Sequence, residues 1–105
     1  MSPTESLCSA LRTLPGVEQA RSRFGKGSRL SWRVNGREFA HLHADDLLDL
    51  RLPQPVQRRL REDPRAHFRG SRSPWLELEF HTQQDVDDLL RLAREAWSAV
   101  LAGDG

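Results

Sequence analysis

The chain predicts an α+β fold: an antiparallel β-sheet of about five to six strands with helices packed on one face, in the order α-β-β-β-β-α-β-α. Three observations carry this reading. Apolar residues alternate with polar ones in "LSWRV" and "WLELEF", Asn35-Gly36 sits between two such runs, and the last segment repeats its apolar residues at helical spacing. At 105 residues the chain is one domain, with a core expected over residues 6–101. Folding at this size buries somewhat over ~60% of the surface of the unfolded chain, leaving little room for an enclosed active site.

The first element is a short helix from Ser6 to Leu14. Leu7, Ala10, Leu11 and Leu14 share one stripe, Thr4 is the expected N-cap, and Pro15-Gly16 ends it. Val17 to Phe24 reads as a strand leading into a hairpin tip at Gly25-Lys-Gly-Ser28. Leu30, Trp32 and Val34 form the inward face of the next strand, and Asn35-Gly36 turns the chain back into Arg37 to His43. Leu48, Leu50 and Leu52 alternate with Asp49 and Arg51 in a fourth strand that Pro53 ends. Pro55 to Arg61 fits a short helix with Val56 and Leu60 inward, and Asp63-Pro64 closes it. His67-Phe68-Arg69 extends before the loop from Gly70 to Pro74. Trp75 to Phe80 is the clearest strand, with Leu76, Leu78 and Phe80 on one face and Trp75, Glu77 and Glu79 on the other. Thr82 caps a closing helix whose stripe is Leu89, Leu90, Ala93, Trp97, Val100 and Leu101.

Composition narrows the function classes. Sixteen basic and 15 acidic groups nearly cancel, so net charge does not recruit nucleic acid, membrane or an acidic substrate; a local patch would have to. The single cysteine, Cys8, forms no internal disulfide and no thiol cluster for zinc, which fits a reducing cytoplasm. The amino end lacks a basic flank and a long apolar run, and no segment approaches ~20 consecutive apolar residues, so neither export by an obvious signal nor a membrane span is expected.

The densest group of chemistry-bearing residues is "HLHADDLLDL". On a regular strand His41 and His43 project to one face together with Phe39, while Ala40 and Leu42 face the core. Two imidazoles can bind a metal or move protons, and Asp45 is the candidate third ligand, leaving a position open to water. The competing reading is a half-exposed strand face that hydrogen-bonds locally. "DDLLDL" reads as a turn followed by a core strand. Cys8 lies beside an apolar stripe, where a free thiol is a small packing residue, and no Gly-x-Ser-x-Gly turn is present. A second candidate surface is basic: Arg21, Arg23, Lys26, Arg29 and Arg33 crowd the first hairpin, and Arg58, Arg59, Arg61, Arg65, Arg69 and Arg72 span the short helix and the next loop. Such arginines can contact phosphates while Trp32 or Trp75 stacks on a base, although alternating arginines also mark the wet side of a strand.

The order of "NGREFAHLH", "DLRLP", a short helix, "WLELEF" and a Gln-Asp-Val-containing final helix resembles the small bacterial luciferase-domain proteins. The shared core is Gly-Arg-x-x-x-His-x-His, here Gly36, Arg37, His41 and His43, and the likeness spans roughly residues 16–101. More distantly, the strand, short helix, tryptophan-led strand and closing helix are similar to MmcQ/YjbR-like proteins, a fold associated with double-wing DNA binding. The luciferase likeness implies oxygenation of an organic substrate; the residues show no flavin-binding pattern, and no cofactor is expected. Three readings follow. The favoured one is a non-enzymatic binding module using Arg37, His41 and His43 toward a ligand or protein. The others are nucleic-acid binding through the arginine-rich hairpin, and a small oxygenase- or hydrolase-like enzyme using the His-x-His strand. A monomer or a homodimer paired through a strand edge fits all three.

Overall fold

A computed structural model describes residues 1–22, 29–70 and 72–103. Nine elements run along the chain: α1 (Pro3–Arg12), β1 (Val17–Ser22), β2 (Arg29–Val34), β3 (Arg37–Ala44), β4 (Leu47–Arg51), α2 (Gln54–Arg59), β5 (Ala66–Phe68), β6 (Trp75–Glu79) and α3 (Gln83–Leu101). The strands form one antiparallel six-stranded sheet in the order β1-β2-β3-β4-β6-β5. The expected α+β order holds, and the extended His67-Phe68 segment is a true edge strand. The chain leaves β4 through α2, runs along the outer edge as β5, and returns as β6 between β4 and β5. The expected tip from Gly25 to Ser28, with Arg23 and Lys26, lies outside the described residues.

Local chemistry explains the element ends. α1 begins earlier than its apolar stripe suggests, because Ser2 rather than Thr4 is the N-cap: its hydroxyl accepts from the Glu5 N–H, and Glu5 reaches back to the Ser2 N–H. Thr4 instead donates to the Asp45 carbonyl at 2.7 Å, tying the helix to the β3–β4 turn. Thr82 caps α3 as expected, with Asp85 closing the reciprocal pair. Asn35 and Gly36 both have positive φ, 53° and 74°, the conformation that a two-residue hairpin with matching twist requires.

α1 and α3 pack on each other, and α3 lies across β2, β3 and β4. The core contains Leu7 and Leu11 of α1, Trp32, Val34, Phe39, Ala40 and Leu42 of β2 and β3, Leu48, Leu50, Leu76 and Leu78 of β4 and β6, and Val86, Leu89, Ala93 and Ala96 of α3. The α3 stripe is rotated slightly from the expected one: Ala96 is buried, Leu101 is 43% exposed, and Trp97 is half-buried with Nε1 donating to the Pro15 carbonyl at 2.9 Å. No helix among the described residues is long and apolar enough to cross a membrane.

Two β-bulges set which residues face the core. After a two-residue turn at 35–36, a regular ladder would pair Trp32 with Phe39; the observed register is Trp32 with Ala40 and Arg33 with Glu38, so Phe39 is the extra residue. A regular ladder after the turn at 45–46 would likewise pair His41 with Leu50. The observed pairs are Leu42 with Leu48 and His41 with Asp49, with His43 as the extra residue. Since directly opposed residues share a face, each bulge matches apolar with apolar and polar with polar. Without them Trp32, Leu48 and Leu50 would not lie on the face that carries Ala40 and Leu42.

Candidate functional site

The face of the sheet opposite the helices carries one row across all six strands, beginning at Ala20 on β1 and polar from β2 to β5. Register pairs Ala20 with Ser31, Ser31 with His41, His41 with Asp49, Asp49 with Glu77, and Glu77 with His67. The middle of this row is not an ordinary solvated face. His41 is 7% exposed, and Ser31 and Asp49 are fully buried.

Side chains stacked on that face enclose it. The Trp75 ring packs at 4.6 Å and 58° on His41, and the Arg51 guanidinium lies 4.8 Å above Trp75. Arg51 Nε also donates to the Glu38 carbonyl at 3.1 Å, and its partial burial pulls its acidity up, lowering its pKa. Glu38 joins the face through the first bulge, its Oε1 lying 2.6 Å from His41 Nδ1, while His41 Nε2 lies 2.7 Å from Asp49 Oδ2. Each ring nitrogen of His41 therefore lies close to a carboxyl group, although the Glu38 approach does not have hydrogen-bond geometry. Phe39, expected beside the two histidines, is instead fully buried in the core, because the bulge removes it from the alternation.

His43 sits farther out, with its side chain 49% exposed. Its Nδ1 lies 3.4 Å from Asp49 Oδ2 and 3.6 Å from Glu77 Oε1. Arg69, just beyond β5, reaches back over β6: its Nη2 is 3.0 Å from Glu77 Oε1, 3.1 Å from Asp49 Oδ2 and 3.2 Å from His43 Nδ1. Asp49 Oδ2 thus lies buried among two imidazoles and a guanidinium, the polar surroundings that a buried carboxyl group requires. Its second oxygen, Oδ1, is buried and has no hydrogen-bond partner among the described residues.

Beside Arg69 an open groove of ≈ 900 Å³ runs between α2 and the end of β5, lined by Gln54, Gln57, Arg58, Arg61, Glu62, Phe68, Arg69 and Gly70. Phe68 is 44% exposed there, facing an excess of guanidinium groups. Gln57 is buried at the base of α2, and its Nε2 donates to the carbonyls of Leu52 and Ser73.

The sequence-derived candidates divide accordingly. His41 and His43 come together. Arg37 does not join them: it is exposed at the start of β3 and makes no ion pair among the described residues. Asp45, the candidate third metal ligand, stays on the β3–β4 turn, 91% exposed and 3.1 Å from Arg29, because a turn residue cannot point back along the strand face. The sequence pattern does not single out Asp49, Glu77 or Glu38, and it names Arg69 only within the second arginine-rich stretch. The polar position in "LLDLR" was the available signal for Asp49, since alternation alone puts it opposite Leu48 and Leu50.

The arginine-rich surfaces are partly consumed. Arg29 pairs with Asp45, and Arg59 with Glu95 at 2.6 Å. Arg65 is held by Asp63, Asp85 and Asp88 at 2.9–3.0 Å, which tightens its proton and holds the Asp63 and Asp88 carboxyls below their usual range; Asp85 is lowered chiefly by the His81 backbone N–H, with Arg65 adding to it. Trp32 is fully buried, with Nε1 donating to Gln19, so it offers no face to a base. Arg21 and Arg33 are exposed along β1 and β2, and Arg23 and Lys26 lie outside the described residues. Cys8 is on α1, on the far side of the sheet, where burial raises its thiol pKa.

Fold and site together define a small α+β domain with a half-covered cluster of imidazoles and carboxylates on the helix-free face of its sheet. A model of the family described as Luciferase domain matches residues 36–96. That is more than half of the chain, and the chain belongs to this family. The matched span contains Glu38, His41, His43, Asp49, Arg69 and Glu77, the whole cluster. No curated protein and no solved structure matches the chain.

Proposed function

We propose that this luciferase-family domain is a binding module for a small organic anion with a flat apolar part, seated in the groove between α2 and Phe68 on the helix side of the β5 edge, with Arg69 linking that groove to the His41–His43 face. The observation that carries the reading is the continuity of groove and cluster through Arg69. The same guanidinium borders the groove and touches His43, Asp49 and Glu77. Arg58, Arg61 and Arg69 supply positive charge against the single Glu62, and exposed Phe68 supplies a ring surface. A pocket of one apolar wall and a few placed polar groups suits a small ligand.

The cluster argues for binding rather than covalent catalysis. Cys8 lies across the sheet from it, and His41 is 7% exposed with Trp75 stacked on it and Asp49 at its Nε2, so its ring is enclosed rather than presented. The hairpin arginines support a nucleic-acid surface less well, because Arg29 is paired and Trp32 is inside the core.

An amide NMR titration with 2-naphthoate, inorganic phosphate and a short DNA duplex, at low and physiological salt, tests the proposal. Naphthoate should shift residues 54–62 and 67–70 together with His43, and the Phe68→Ala and Arg69→Ala variants should lose those shifts. Salt-sensitive shifts with DNA alone, clustered on residues 29–37, would transfer the function to the basic hairpin and reject the groove.

A further inference from the structure

A single guanidinium nitrogen, Arg69 Nη2, occupies the point where His43 Nδ1, Asp49 Oδ2 and Glu77 Oε1 converge, 3.0–3.2 Å from each. The three acceptor atoms lie within 4.8 Å of one another. We propose that His43, Asp49 and Glu77 form a site for a divalent cation of the zinc class, and that Arg69 is the built-in cation which the metal displaces.

Two of the three ligand spacings fit that ion, and the third, between Asp49 and Glu77, lies within 4.8 Å. In a tetrahedral site with bonds of ~2.0–2.2 Å, two ligand atoms stand roughly 3.3–3.6 Å apart. His43 Nδ1 is 3.4 Å from Asp49 Oδ2 and 3.6 Å from Glu77 Oε1. One imidazole and two carboxylates from three neighbouring strands form a rigid donor set, which leaves a fourth position for water or a ligand atom.

Two further features support a cation rather than an incidental salt bridge. Asp49 is fully buried and its Oδ1 has no hydrogen-bond partner among the described residues, which leaves one oxygen of the ligating carboxyl group with capacity to spare. His41 Nε2 touches Asp49 Oδ2 at 2.7 Å, and Glu38 lies against the other side of that ring, the outer layer that orients a ligating carboxylate. Arg69 is able to leave: its side chain is 38% exposed, it precedes Gly70, and it borders the open groove.

A rival group exists on the same face near the β5–β6 edge. His67 Nε2 lies 2.7 Å from Glu79 Oε1 and His81 Nε2 lies 3.5 Å from Glu79 Oε2, all substantially exposed. These atoms approach two different oxygens instead of one point, so they make the weaker site.

Zinc titration of the full chain separates the possibilities, read by calorimetry for stoichiometry and by imidazole ¹⁵N NMR for the residues touched. One zinc per chain should bind with His43 signals displaced. Arg69→Gln should bind zinc at least tenfold more tightly than the unsubstituted chain, because no guanidinium competes. His43→Ala and Glu77→Gln should each weaken it at least tenfold while circular dichroism confirms the fold. Where Arg69→Gln does not fold, Arg69→Lys gives the same readout with a smaller gain. Unchanged affinity in the Arg69 variant overturns the displacement, and zinc shifts confined to His67 and His81 overturn the site.

Discussion

His41 and Asp49 face each other directly across β3 and β4, Nε2 to Oδ2 at 2.7 Å, both buried on the face of the sheet that no helix covers. Eight positions separate them in sequence, and a regular hairpin would have paired His41 with Leu50. The extra residue at His43 brings them opposite each other. The contact therefore depends on a bulge, which at the same time brings Leu42 opposite Leu48 on the other face.

Removing the carboxylate leaves His41 and Arg69 without their shared anion. Asp49→Ala should lower unfolding stability by about 3 kcal/mol, the scale of breaking a buried ion pair. Urea denaturation of Asp49→Ala, His41→Ala and the double variant gives the coupling: the two losses should fall short of adding by about 1 kcal/mol or more. Strict additivity would show that the two side chains are not energetically linked.

Arg65 joins the segment after α2 to the first two turns of α3 through Asp63, Asp85 and Asp88. Arg65→Met should cost about 2 kcal/mol, the range of hydrogen bonds to charged groups, because three carboxylates then face one another without a guanidinium. A melting point unchanged by the substitution would contradict this role.

The same three carboxyls predict acid sensitivity. The Arg65 hydrogen bonds hold the pKa of Asp63 and Asp88 down, and the His81 backbone N–H is the main cause for Asp85. A lowered folded-state pKa means that the unfolded chain binds more protons in acid, so the stabilisation is complete above the unfolded Asp value of ~3.9 and is lost as pH falls through the folded values. Thermal melts between pH 5 and pH 2 should show a steep loss in the unsubstituted chain and a shallower one in Arg65→Met.

Gly36 has φ +74°, and a Cβ added there would meet nothing within 4 Å. Gly36→Ala should therefore destabilise by about 1–2 kcal/mol through backbone strain alone. Chemical denaturation reads this directly, and a neutral result would mean that the turn relaxes to another type.

Cys8 is half-buried against the core, and burial raises its pKa with a smaller opposing pull from Arg12. Its thiol should react with a disulfide reagent near neutral pH several-fold more slowly in the folded chain than in urea. Equal rates would show the thiolate to be formed as readily as in a free cysteine.

The sheet and its helix-covered face were legible because they depend on local patterns. Period-two alternation marked Trp75 to Phe80, Asn35-Gly36 marked the turn, and Thr82 with Asp85 marked the start of α3. The cap of α1 was misplaced because Ser2 and Thr4 are both good capping residues, and only the backbone path decides which hydroxyl meets an N–H. His41 and His43 were identified as neighbours on one face, but their partners were not.

The amino-acid sequence by itself determined the hairpins, the capped closing helix, the apolar face and the pair of histidines, since each follows from residues a few positions apart. Tertiary structure alone decided that Asp49, Glu77 and Arg69 converge on His43 while Asp45 and Arg37 stand aside. Arg69 lies 20 positions from Asp49 and directly follows an edge strand that enters the sheet out of sequence order. Contacts of that kind depend on strand order and on the one-residue shifts of two bulges, and no local pattern encodes either.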